Sequence, residues 1–73
     1  MKDGRAKVLV RCYNEVKDTV PLVDLNAQQM AGYYLCNYPN DPIGMLNEDI
    51  HQLDVPYVVG TCAKTIISAV RGK

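Results

Sequence analysis

Phenylalanine and tryptophan are both absent from this 73-residue sequence, so the largest apolar contributors to a core are missing. Valine, leucine, isoleucine, methionine and five tyrosines must fill the core instead. A domain of this size buries only about 60% of the surface that its unfolded chain exposes, so its stability is marginal. We therefore expect residues 1–73 to form one domain that gains stability from association, most simply as a homodimer.

Residues that carry chemistry are also scarce. His51 is the only histidine, and Cys12, Cys36 and Cys62 are spaced too widely for a disulfide framework or a zinc site. Such cysteines are typical of reduced thiols in a cytoplasmic protein. The sequence holds no nucleophile with a nearby base and no glycine-rich phosphate fingerprint. It therefore predicts a protein that is not an enzyme and that holds no metal and no cofactor.

Basic residues are missing from the middle of the chain. Residues 1–17 carry a net charge of +3, residues 18–63 carry −6, and residues 64–73 carry +3. An acidic middle can steer a basic partner protein, and opposite charges along one chain can pair two copies. No secretory signal pattern or membrane-spanning apolar run is present, so neither secretion nor membrane insertion is expected.

Three segments have the residue pattern of strands. Apolar and polar residues alternate over residues 5–13, as in a strand with one buried face. Residues 16–23 can return beside it, but only at a sheet edge, because Pro21 has no amide hydrogen to donate. Residues 55–60 are a short apolar run ending at a glycine. Together they predict a three-stranded sheet.

Two helices are predicted in the second half of the chain. Asp41 can cap a helix over residues 42–53 that has proline at its first position. Residues 62–71 have helical periodicity, although a hairpin centred on Gly60 is an alternative. With the central helix described next, the predicted order is β-β-α-α-β-α, an α+β fold with helices on one face of the sheet.

The central stretch, residues 25–40, contains no charged side chain. Asn26 and Gln29 can form a capping box at the start of a helix. Its apolar side points inward and comprises Ala27, Met30, Ala31, Tyr34, Leu35 and Tyr38. The opposite side is polar yet uncharged, and Gly32 leaves room there for another backbone. That side is either buried in the same chain or covered by a partner.

These features predict a small non-catalytic module that binds a protein, as a regulator or inhibitor of the kind a phage or mobile element encodes. An uncharged, tyrosine-bearing helix face is typical of an interface centre. The predicted protein-binding residues lie on the central helix and the adjacent acidic helix: Gln29, Gly32, Tyr33, Cys36, Asp41, Glu48, Asp49 and Asp54.

The alternative function is nucleic-acid binding. In the predicted first strand, one face carries Arg5, Lys7, Arg11 and Tyr13, which suit contacts with phosphates and bases. A net charge of zero and a pI near 6.5 oppose it, because a polyanion would be repelled by the acidic middle. A salt titration separates the two functions, since only nucleic-acid binding weakens steeply with salt.

Overall fold

The computed structural model describes the backbone of residues 2–71 and the side chains of residues 4–71. Within these residues the chain is entirely helical and contains no strand. Four α-helices follow one another: α1 (Lys2–Val16), α2 (Ala27–Asn37), α3 (Pro42–Asp49) and α4 (Pro56–Arg71). Short 3-10 helices at Leu22–Asp24 and Ile50–Gln52 lie in two of the connections. The predicted α+β fold with a three-stranded sheet is therefore wrong.

The predicted first strand, residues 5–13, lies within α1. Val8 and Val10 alternate with charged residues, but a second pattern fits the same segment, with inward positions three and four residues apart. Its members are Ala6, Leu9, Tyr13 and Val16, of which Leu9 is buried and the others are partly buried against the core. Tertiary packing decides between the two patterns: Leu9 contacts the core, whereas Val8, which the strand would bury, is 48% exposed.

The predicted second strand, residues 16–23, is a turn. α1 ends at Val16, whose carbonyl oxygen accepts hydrogen bonds from the backbone N–H groups of Thr19 and Val20 at 2.9 and 3.0 Å. Pro21 then precedes the first 3-10 helix. The proline therefore starts a new helical turn and does not end a strand.

The predicted third strand, residues 55–60, is the first part of α4. Pro56 is the first residue of this helix, a position where the missing amide hydrogen costs nothing. The buried face of α4 then repeats at Val59, Cys62, Ile66 and Ala69, which continues across the predicted strand boundary without a break. The predicted helix over residues 62–71 is confirmed, but it begins six residues earlier and includes Gly60.

Two predicted helix starts are confirmed. Asn26 Oδ1 accepts from the Gln29 backbone N–H at 2.9 Å, and Gln29 Oε1 accepts from the Asn26 N–H at 3.3 Å, which completes the capping box. Asp41 Oδ1 accepts from the Gly44 N–H at 3.1 Å, and Pro42 occupies the first position of α3. α3 ends at Asp49 and continues as the 3-10 turn, so this helix is shorter than predicted.

α2 lies at the centre of the domain and contacts all three other α-helices, most extensively α1. The core comprises Leu9, Leu25, Met30, Ala31, Tyr34, Leu46, Leu53, Val59, Cys62, Ile66 and Ala69. Three of the six α2 side chains predicted to point inward, Met30, Ala31 and Tyr34, are fully buried, and the other three are partly buried. The uncharged stretch is therefore the central helix of a single chain.

Candidate interaction surfaces

The predicted α2 surface is divided by the packing of α1. Gly32 is buried, and a Cβ atom there would lie 2.1 Å from the Leu9 carbonyl oxygen. The backbone that approaches Gly32 therefore belongs to the same chain. Cys36 is exposed, whereas Gln29 and Tyr33 are partly buried. The structure therefore keeps Cys36 and Gln29 on the outer side of α2 and removes Gly32 from it.

A tyrosine cluster fixes the position of Tyr33. Its ring packs edge-on against Tyr13 of α1, Tyr34 and Tyr38, with centroids 5.4, 4.9 and 6.2 Å away. Such edge-to-face contacts stabilise packed aromatic rings beyond their area burial. Burial and the neighbouring Tyr38 hydroxyl raise the pKa of Tyr33 above its ordinary value. Tyr33 is therefore part of the α1–α2 junction more than of an open surface.

Tyr34 is completely buried, and its hydroxyl donates a hydrogen bond to Asp49 Oδ2 at 3.0 Å. This bond ties α2 to the end of α3. Burial, followed by the hydrogen bond to the Asp49 carboxylate, raises the pKa of Tyr34 far above its ordinary value. The Asp49 carboxylate therefore satisfies a buried hydroxyl, which the sequence did not indicate.

The four predicted acidic residues have different environments. Asp41 is engaged as the cap of α3, and Asp49 is partly buried beside Tyr34. Glu48 and Asp54 are exposed. Asp41 is exposed as well, but its carboxylate caps α3, and Asp49 pairs with Tyr34. Glu48 and Asp54 are therefore the exposed members that serve neither as a cap nor as a partner of the core.

The predicted basic face does not exist as one face. In a helix, Lys7 and Arg11 are one turn apart and share a side of α1, whereas Arg5 points about 120 to 160° away from them. The Arg5 guanidinium donates a hydrogen bond to Ser68 of α4, and Tyr13 packs on Tyr33. The structure therefore separates Arg5, Tyr13 and the Lys7–Arg11 pair.

An apolar stripe on α4 was missed by the sequence reading. Gly60, Ala63, Ile67 and Val70 follow one another at alternating intervals of three and four residues, the spacing of a helix–helix seam. Ile67 is 40% exposed and Val70 is 52% exposed, whereas no atom lies within 4 Å of a Cβ built on Gly60. We call these four residues the α4 stripe. The spacing of these four residues can be read from the sequence, but only when the helix is extended back through residues 56–60.

The α4 stripe continues onto α3. A shallow cavity of about 260 Å³ lies beside it, and Ile67 and Val70 line this cavity together with Pro42 and Ile43. Arg71 borders the same cavity, and Tyr57, 85% exposed, lies on the flank of α4 that also carries Arg71. Asn40 and Asp41 also line this cavity. A partner helix on the stripe would therefore meet apolar side chains with an aromatic ring and both charged and polar groups beside them.

The three cysteines are free thiols. Cys62 is fully buried in the core, and burial raises the pKa of its thiol to about 12. Among the described residues, no group of three histidine, cysteine, aspartate or glutamate side chains is arranged to hold a metal ion. None of the helices over residues 2–71 has the length and apolar content needed to cross a membrane.

Comparisons with protein-family models, curated proteins and solved structures gave no match to this chain.

Proposed function

We propose that this protein is a non-catalytic interaction module that self-associates through the α4 stripe. The observation that carries the proposal is the exposure of Ile67 and Val70 in a seam-like repeat whose other two members, Gly60 and Ala63, are small. Ala63 is partly buried against the core, whereas Gly60, Ile67 and Val70 are exposed. Exposed apolar positions at this spacing are typical of helices that pack against another helix. We assign the partner helix to a second copy because the stripe is complementary to itself.

Whether two α4 stripes are complementary depends on whether the two helices run parallel or antiparallel. When two α4 helices run antiparallel, the seam places Gly60 opposite Val70 of the second copy, and Ala63 opposite Ile67. Every layer then joins a small residue to a large one, so the helix axes stay evenly spaced. A parallel pair would place Gly60 on Gly60 and Ile67 on Ile67, which opens one end of the seam and crowds the other. The antiparallel pair therefore packs better, and it obeys a two-fold axis.

The residues that flank the stripe favour the antiparallel pair at two contacts and oppose it at one. In the antiparallel pair, Tyr57 of one copy lies near Arg71 of the other, where a guanidinium can stack on the ring. The two Lys64 side chains meet near the axis, where like charges cost about 0.2–0.5 kcal/mol. Two Tyr57–Arg71 contacts, each worth about 0.5–1 kcal/mol, outweigh that cost.

The dimer is expected to be reversible. α4 has 16 residues, so it is about 24 Å long and offers two heptads of seam. An interface of this length is at the small end of specific interfaces. We therefore expect a monomer–dimer equilibrium that responds to concentration, rather than an obligate dimer.

Two other surfaces support association less well. On the outer side of α2, Gly32 already contacts α1, and no large apolar side chain there is among the exposed ones. For nucleic-acid binding, the cations of α1 lie on different sides of the helix, so they do not form a continuous positive track.

Sedimentation equilibrium of matched variants tests the proposal. Ile67→Glu places a charge in the seam, whereas Ile50→Glu places the same charge at an isoleucine that is 44% exposed on the second 3-10 helix. We expect the wild type and Ile50→Glu to dimerise equally, and Ile67→Glu to weaken the dimer by at least about tenfold. Equal dimerisation of all three, or a wild type that stays monomeric up to about 1 mM, would contradict the proposal.

A second variant tests whether the seam requires a small residue opposite Val70. A Cβ atom at position 60 meets no atom within 4 Å in the monomer, whereas the side chain of Gly60→Leu would collide with Val70 of the second copy. We expect this variant to fold with unchanged or higher stability and to lose self-association, which separates a seam defect from a folding defect.

A further inference from the structure

A groove between α1 and α4 has the polar groups of a ligand site. It encloses about 400 Å³, a volume within the range of small-molecule sites. Arg5, Val8 and Leu9 of α1 line one wall, and Gln28 of α2 also lines the groove. The facing wall comprises Thr61, Lys64, Thr65 and Ser68 of α4. We call this cavity the α1–α4 groove.

Its charge is of one sign. Arg5 and Lys64 approach the groove from opposite walls, and no acidic residue is among the described residues that line it. Arg5 donates to Ser68 Oγ, and this hydrogen bond joins the two walls. A guanidinium has more donors than this bond uses, and it matches the oxygens of a phosphate. Two converging cations therefore favour an anionic ligand.

The hydroxyl groups define the rest of the ligand. Thr61 Oγ1 donates to the Tyr57 carbonyl oxygen at 3.1 Å, and Thr65 Oγ1 donates to the Thr61 carbonyl oxygen at 2.9 Å. With their protons committed to the helix, these oxygens face a ligand as acceptors. These oxygens can accept from a hydrogen-bond donor of a ligand, which a phosphate dianion lacks. A ligand that carries hydroxyl groups as well as a phosphate supplies both.

From this arrangement we infer that the α1–α4 groove binds a small hydroxylated organic phosphate, such as a phosphorylated sugar. Arg5 and Lys64 hold the phosphate, and the oxygens of Thr61 and Thr65 accept from ligand hydroxyls. Val8, 48% exposed at the groove wall, contacts the apolar face of the carbon skeleton. The α4 stripe lies on another side of the helix, but Lys64 belongs to both surfaces because it lies near the two-fold axis of the antiparallel pair, so binding is measured at a concentration where the protein is monomeric.

Isothermal titration and backbone amide NMR shifts test it, with glucose 6-phosphate, glucose and inorganic phosphate as probes. We expect glucose 6-phosphate to shift residues 61–68 and to bind more tightly than inorganic phosphate, and glucose alone to cause no shift. Arg5→Gln and Lys64→Gln should each weaken binding by about tenfold or more, because each removes a charged partner of the phosphate.

Charge-matched control variants distinguish a specific binding site from non-specific electrostatic attraction of the anion. Lys7→Gln and Arg11→Gln remove the same charges from the other side of α1, and each should weaken binding by less than about threefold. Thr65→Val keeps the shape of the side chain and should weaken glucose 6-phosphate but not inorganic phosphate.

The inference is overturned if glucose 6-phosphate causes no shift in residues 61–68 at about 10 mM, a weak-binding limit. It is also overturned if Lys7→Gln weakens binding as much as Arg5→Gln, which would mean general electrostatic attraction. Equal affinity for glucose 6-phosphate and inorganic phosphate would overturn the assignment of a hydroxylated ligand. Because Arg5 and Lys64 are exposed, circular dichroism should confirm that the variants remain folded.

Discussion

Gly32→Ala should destabilise the protein, although alanine is the better helix former. A Cβ atom at position 32 would lie 2.1 Å from the Leu9 carbonyl oxygen and 2.8 Å from the Leu9 carbonyl carbon and the Tyr13 Cβ. These atoms belong to the backbone, or are fixed directly to it, so no side-chain rotation relieves the clash. α1 and α2 would have to separate by about 1 Å to restore ordinary contact distances.

The magnitude follows from two opposing terms. Replacing glycine by alanine in a helix gains about 1 kcal/mol of helix propensity. Overpacking a close contact costs about 1–3 kcal/mol and more when the backbone must move. Because the clash is with backbone atoms of α1, we take the upper end of this range and expect a net loss of about 2 kcal/mol. For a domain of this size, that corresponds to a fall in Tm of about 10 °C.

The matched control is Gly60→Ala, the same change inside α4. No atom lies within 4 Å of a Cβ at position 60, so only the propensity gain remains, and stability should rise by about 0.5–1 kcal/mol. Urea unfolding followed by far-ultraviolet circular dichroism measures both variants, at a concentration where the protein is monomeric. The two substitutions should shift the midpoint in opposite directions.

A Gly32→Ala variant as stable as the wild type would refute the reasoning. It would mean that Leu9 does not approach Gly32, and that α1 is not packed on α2 as the structure has it. A destabilised Gly60→Ala variant would instead locate α4 in a tighter environment than the structure gives it.

Two further predictions concern buried groups. Tyr34→Phe should lower the free energy of unfolding by about 1 kcal/mol, because the Asp49 carboxylate loses its buried donor. Folding raises the pKa of Tyr34, so the stability that its protonated hydroxyl contributes is complete below pH 10.0 and is lost at higher pH. Urea unfolding should therefore show that the wild type loses stability above pH 10.0 more steeply than the variant does. Cys36 should react quickly with a thiol reagent while Cys62 reacts only on unfolding, because Cys36 is exposed whereas Cys62 is buried with a raised pKa. Mass mapping of the labelled peptides measures this, and rapid labelling of Cys62 in the native protein would contradict the core assignment.

The central part of the fold was predictable because its signals are local. The capping box at Asn26, the Asp41–Pro42 start and the inward side of α2 all follow from neighbouring residues, and the structure has them as predicted. Gly32 was also recognised as a place where a second backbone approaches. The sequence left open whose backbone that would be, and the structure assigns it to Leu9.

The outer helices were not predictable from alternation. Segments 5–13 and 55–60 are rich in valine, and each fits both a strand and a helix period. The choice depends on contacts with residues far along the chain, such as Leu9 on α2 and Val59 in the common core. The α4 stripe was hidden for the same reason, since a strand over residues 55–60 separates Gly60 from Ile67.

Intermolecular nuclear Overhauser effects in a mixed sample of isotope-labelled and unlabelled protein test the central claim most directly. The antiparallel dimer predicts contacts between the Val70 methyl groups of one copy and the Gly60 Hα atoms of the other, and between Ile67 and Ala63. Contacts between Ile67 and Ile67 would mean a parallel seam. Intermolecular contacts confined to Cys36 and Gln29 would place the interface on α2, and either result would contradict the account.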